Sequence, residues 1–97
     1  MTLRESENGL IAINDAVSRR MKELAYLNDL PMSEIIRRGN LNQSTISEIL
    51  QARSKHPRIS TILKFCKGCG ITLEEFFQSD LFRGNLIADS SEIKQGE

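Results

Sequence analysis

The sequence predicts an all-α fold of five short helices, for three reasons. Apolar residues recur at the i, i+3, i+4 spacing of one helical face in successive stretches. Pro, Gly, Asn, Ser and Thr stand between those stretches, where helices start and stop. No stretch alternates apolar and polar residues as a half-buried strand does. At 97 residues, 39% hydrophobic but without a long apolar run, the chain suits one small globular domain with no membrane span.

The first helix is expected over about Asp15 to Leu27, capped by Asn14, with Val17, Met21, Leu24 and Ala25 buried and Arg19, Arg20 and Lys22 outside. The second lies in Leu30-Pro31-Met32-Ser33-Glu34-Ile35-Ile36-Arg37-Arg38, where Pro is pre-set for a helix start. Gly39-Asn40 follows as a tight turn that tolerates the left-handed backbone. The third runs from about residue 43 to 51. Asn42 is placed to accept from an orphan N–H of its first turn, and Ile46, Ile49 and Leu50 form its buried face. The fourth follows Ser60, with Ile62, Phe65, Cys66 and Cys69 on one stripe and Gly70 as its stop. The fifth opens with a capping box, Thr72 to Glu75, and buries Leu73 and Phe76, with Phe77 as a further candidate.

Helices two and three, joined by a tight turn, have the form of a helix-turn-helix, whose second helix enters the DNA major groove. The exposed face of that helix carries Gln43, Ser44, Ser47 and Glu48. Gln pairs bidentately with adenine, Ser and Thr bond several base edges, and a Thr methyl touches the thymine methyl. On these residues alone an ordinary amphipathic surface helix fits as well. The flanking turn and the basic loop Arg53-Ser54-Lys55-His56-Pro57-Arg58 decide for DNA. Gln43, Ser44 and Ser47 are assigned to base edges, Thr45 to the groove wall, and Arg53, Lys55 and Arg58 to phosphates. Glu48 has two outcomes: facing the groove it accepts from a cytosine amino group, and facing a phosphate it repels it.

Residues from about Ala16 to Phe82 resemble the lambda-repressor-like, Cro-type (XRE) family of five-helix DNA-binding domains. The elements that carry the resemblance are Asn42-Gln43-Ser44-Thr45-Ile46-Ser47, then Arg53-Ser54-Lys55-His56-Pro57-Arg58-Ile59, then Gly70-Ile71-Thr72-Leu73-Glu74-Glu75-Phe76-Phe77, in that order and spacing. The resemblance implies a bacterial, phage or mobile-element regulator that binds operator DNA, usually as a homodimer. Four positions depart from the family pattern. Met32 stands where many relatives have a Gln that holds a phosphate and braces the base-reading residues. Ala52 takes the place of a loop Gly, at a steric cost if the backbone there is left-handed. Ala25 and Leu50 replace an Arg and a Glu that pair in some members, so an apolar contact is expected in place of the ion pair.

Net charge is zero, unlike the basic balance of many nucleic-acid binders, but its distribution is uneven. Residues 37 to 58 hold five Lys or Arg (Arg37, Arg38, Arg53, Lys55, Arg58) against Glu48. Residues 74 to 97 hold six acids against Arg83 and Lys94, an asymmetry that orients a protein on a polyanion. For Arg37 and Arg38 a simple solvated face is an equal alternative. Cys66 and Cys69 spell Cys-x-x-Cys, yet only His56 is at hand as a further soft ligand and no βαβ context exists, so both are expected in the core rather than in a zinc or redox site. No metal triad, nucleophile motif or Gly-rich phosphate loop is present, so neither an enzyme nor a bound cofactor is expected.

Three regions are expected: an N-terminal extension over 1–13, the DNA-binding domain over 14–83, and an acidic, flexible tail over 84–97. Met1 to Glu7 lacks a secretory pattern, which places the chain in the cytoplasm. The apolar residues at the two ends (Leu10, Ile11 and Ile13; Leu81, Phe82, Leu86, Ile87 and Ile93) suit either core closure or a dimer interface, and exposed Leu63 fits the second. The expected function is sequence-specific binding of double-stranded DNA by a small transcriptional regulator, in the first place a repressor. The rival is a protein-interaction module, such as an antitoxin or accessory regulator, that keeps the helix-turn-helix and grips a protein through its tail or outer helices.

Overall fold

The computed structural model describes residues 10–82 and 86–88, with the backbone alone for Leu10 and for 86–88. The five helices are α1 (Ile13–Leu27), α2 (Met32–Gly39), α3 (Gln43–Leu50), α4 (Ile59–Cys69) and α5 (Leu73–Phe77). They enclose one core of Val17, Met21, Leu24, Ile35, Ile46, Ile49, Ile62, Phe65, Cys66, Cys69 and Phe76. The all-α expectation holds, with one addition: β1 (Leu10–Ala12) and β2 (Leu86–Ala88) pair in parallel, Leu10 opposite Leu86 and Ala12 opposite Ala88. Ile11 of β1 is buried. Of the segment read as a tail, 86–88 thus form a strand. Residues 84–85 and 89–97, Ile93 among them, lie outside the described residues, as do residues 1–9.

Several local expectations need correction. Helix α1 starts at Ile13, two residues before Asp15, and Asn14 is not its cap. Ala12 takes the cap position without a side-chain bond, while buried Asn14 donates from Nδ2 to the Ala52 carbonyl at 3.0 Å. Helix α4 starts at Ile59, so Ser60 lies inside its first turn rather than before it. Arg20, placed outside by helical spacing, is only 7% exposed. Its guanidinium donates to the carbonyls of Phe76 (2.6 Å), Glu75 (2.7 Å) and Gln78 (3.1 Å) and to Glu23 (2.8 Å). Those carbonyls end α5, where intrahelical donors run out and a cation is favoured. The five-residue helix is therefore stapled to α1 by one side chain. Phe76 and Phe77, 5.0 Å apart, continue the aromatic contact to Phe82, 5.0 Å from Phe77.

The placement of α2 depends on two glycines. A Cβ on Gly39 would run into the Lys64 carbonyl oxygen of α4, and one on Gly68 into the Ile35 carbonyl oxygen of α2. Each helix gives way to the other's backbone, so α2 and α4 meet backbone to backbone at these two points. Asn40 then ends α2 in the left-handed conformation (φ 54°), and Leu41 N–H reaches back to Ile36 O at 2.9 Å. That turn leads directly to the cap of α3.

Candidate nucleic-acid interface

Asn42 caps α3 as its sequence indicates: Oδ1 accepts the backbone N–H of Ser44 at 3.0 Å and of Thr45 at 3.1 Å. Ile46 and Ile49 are buried, which turns the opposite face outward. Gln43, Ser44, Thr45 and Glu48 are exposed and Ser47 is half-buried, so all five lie on or beside one accessible surface. Ser44 hydroxyl donates to Asn42 Oδ1 at 2.6 Å, and Gln51 Nε2 donates to Ser47 Oγ at 3.0 Å. Gln51, the C-cap of α3, was not among the residues expected at the site. Its spacing of four and eight from Ser47 and Gln43 is the signal that places it on their stripe.

A cleft of about 240 Å³ lies between α2 and α3, with Met32 and Ile36 on the α2 side and Gln43, Ser47, Leu50 and Gln51 on the α3 side. Met32 therefore presents a thioether beside Gln43. It offers the Gln43 amide no hydrogen-bond partner comparable to the Gln of the related pattern.

The following loop is built on a left-handed alanine. Ala52 has φ 58°, and Arg53 and Ser54 N–H return to the Glu48 carbonyl at 2.9 and 3.2 Å. The Asn14 amide on its carbonyl holds this strained residue from α1, and Ser18 Oγ donates to the neighbouring Leu50 carbonyl at 3.0 Å. Arg53, Lys55, His56 and Arg58 project from the loop, all exposed. Arg53 pairs with Glu48 at 3.3 Å. Among the described residues, neither Lys55 nor Arg58 has an ion-pair partner.

Charge on the α2 side is smaller than a count over 37–58 suggests, because Glu34 lies just upstream. Its carboxylate accepts from both Arg37 and Arg38, the latter at 2.9 Å. Hydrogen bonds from Arg37, then from Arg38, lower its pKa to about 2. Of Arg37 and Arg38 together, one net positive charge remains. Ala25 and Leu50, the positions that depart from the ion-pair pattern, are both half-buried against the core.

Cys66 and Cys69 are free and buried. Burial pushes the Cys66 thiol up to about 11 and raises Cys69 as well, the reverse of an activated thiolate. Among the described residues there is no group of three or more His, Cys, Asp or Glu placed to hold a metal ion, and no helix long and apolar enough to cross a membrane.

No protein-family model matches the chain, and no curated protein matches it. Among solved structures it is similar to the prophage Lp1 protein 11: the two are 32% identical, with a TM-score of 0.66, over 73% of this chain and 93% of the other.

Proposed function

The chain belongs to the same family as the prophage Lp1 protein 11, and from that premise we propose that it is a small transcriptional regulator of phage or bacterial origin that binds double-stranded DNA. Helix α3 enters the major groove, with Gln43, Ser44 and Ser47 on base edges and Thr45 on the groove wall. Arg53, Lys55 and Arg58 take phosphates. Glu48, held towards Arg53, lowers the charge of the loop and leaves Lys55 and Arg58 as the main phosphate partners. The observation that supports this most is the outward face of α3: short polar side chains at a capped helix start, on the second helix of a tight two-helix turn.

The protein acts as a homodimeric repressor of the lambda-repressor-like, Cro-type kind, inside the cell and without cofactor or catalysis. Selection of bound duplexes from a random library at moderate salt tests this. An inverted repeat with half-sites about one DNA turn apart, or a multiple of it, is expected. Affinity should fall steeply with salt as phosphate contacts release counterions. Absence of enrichment by folded protein would overturn the proposal.

One observation favours a protein-interaction module instead. Tyr26 and Leu27 at the end of α1 are 85% and 64% exposed, and Ile59 and Leu63 lie open on α4, large apolar side chains that a protein partner could cover. On that reading binding to duplex would be weak and unselective, while a protein partner would cover these residues.

A further inference from the structure

Two hydroxyls on the exposed face of α3 are held by the chain itself in opposite senses. Asn42 Oδ1 takes two backbone N–H groups, which identifies that atom as an acceptor. The Ser44 hydroxyl, 2.6 Å from the same oxygen, therefore donates its hydrogen there. A hydroxyl has one hydrogen and two lone pairs, so Ser44 turns only lone pairs outward. One helical turn later the sense is reversed. Ser47 Oγ accepts Nε2–H from Gln51 at 3.0 Å, which fills a lone pair, leaves the hydrogen available and polarises the O–H for donation.

Resting on the proposal that this face meets bases, we infer that Asn42 and Gln51 are positioning residues that set the hydrogen-bond polarity of two base contacts. Ser44 selects an edge that donates, the amino group of adenine or cytosine. Ser47 favours an edge that accepts: guanine N7 or O6, adenine N7, or thymine O4. A Ser is ordinarily a permissive reader because its hydroxyl rotates to suit either partner. Here the Ser44 rotor is committed before DNA arrives, and Ser47, with one lone pair filled and its O–H polarised, favours donation, which makes both contacts more selective than a free hydroxyl allows. Asn42 cannot be varied cleanly, because the same oxygen caps α3. Gln51 can be: it is exposed, it lies at the helix end, and its side-chain amide bonds Ser47 alone among the described residues.

Gln51→Glu replaces the donor by an acceptor of the same shape. Ser47 then donates to the carboxylate and shows lone pairs outward. Gln51→Met removes the polar group and leaves the hydroxyl free to rotate. The experiment is sequencing of duplexes bound from a random library by the full chain, for wild type, Gln51→Glu, Gln51→Met and Ser47→Ala, with thermal unfolding of each. Gln51→Glu is expected to exchange an accepting for a donating edge at one position of the bound motif, a shift of about 5- to 100-fold in relative enrichment. Gln51→Met should broaden the position that Ser47→Ala broadens, and all should unfold near the wild-type temperature. The added carboxylate lowers affinity for every sequence alike and does not move the base preference. An unchanged motif in Gln51→Glu, or a broadening spread over every position, would overturn the inference while leaving DNA binding intact. No enrichment by wild type would remove the DNA-binding proposal and this inference with it.

Discussion

The α1–α5 junction and the outer face of α3 use polar side chains in opposite ways. At the junction Arg20 is buried and its bonds go to the chain itself, to three carbonyls and Glu23. On α3, Gln43 and Thr45 are exposed, and their side chains make no hydrogen bond with any described residue. The two serines, bonded once each, keep further capacity. A polar group consumed internally holds the fold, and one left unconsumed at a rigid position is available to a partner. Substitutions at the first region should act on stability, and those at the second on recognition.

The largest effect is expected at Arg20. Arg20→Met keeps much of the apolar stem but strands the carbonyls that end α5 and leaves Glu23 without its partner. A loss of about 3 kcal/mol follows from breaking a buried charge-assisted network. That lowers the unfolding temperature by roughly 10–25 °C in a domain of this size. An unfolding temperature within a few degrees of wild type would show that water satisfies those carbonyls equally well. Next comes Gly68→Ala, whose new methyl meets the Ile35 carbonyl and should destabilise by about 1–3 kcal/mol through overpacking. Denaturant unfolding measures it, and a neutral result would mean that α2 and α4 separate easily.

Ala52→Gly works in the opposite direction. With φ at 58°, Ala bears a left-handed penalty of about 1 kcal/mol that Gly does not. Part of that gain is offset by the larger entropy of Gly in the unfolded chain. Urea unfolding should show a small increase in stability, and a decrease would mean that the Ala methyl packs usefully there. The smallest effect concerns Glu34. Its carboxyl is lowered from 4.5 to about 2 in the folded chain, so its ion pairs contribute fully above about pH 4.5. That contribution is lost as pH falls towards 2. Exposure to solvent keeps the stability change slight. NMR titration of the Glu34 side chain reads the value directly, and a midpoint at the ordinary carboxylate range would contradict the clamp. Glu34→Gln should also release Arg37 and Arg38 and steepen the salt dependence of DNA binding.

What the sequence made legible was local. The Asn42 cap, the Thr72–Glu75 capping box and the left-handed Gly70 all lie within a few residues of the groups they satisfy, so spacing alone announced them. Arg20 was hidden because its α5 partners lie 55 to 58 residues away, and helical spacing on α1 cannot register a carbonyl on another helix. Asn14 was misplaced for the same reason, since a residue type that suits a cap was claimed by Ala52 across the fold. The strands escaped because each has three residues, too few for an alternating pattern. The signal was instead the identity of the two triplets, Leu10-Ile11-Ala12 and Leu86-Ile87-Ala88. At the candidate interface the residue types and their shared face were legible, whereas the hydroxyl senses of Ser44 and Ser47 depend on partners that only coordinates assign. The excess of positive charge was overstated because Glu34 lies outside the segment over which charges were counted.

The measurement that tests the division between reading and holding most directly compares Gln43→Ala with Lys55→Ala on the preferred duplex and on a scrambled one, across a salt series. Gln43→Ala should cost about 1–3 kcal/mol on the preferred duplex, relax the choice at one base and leave scrambled binding nearly unchanged. Lys55→Ala should weaken both duplexes alike and reduce the salt slope by about one. Equal losses on both duplexes for both variants would contradict the account, because α3 would then hold DNA without reading it.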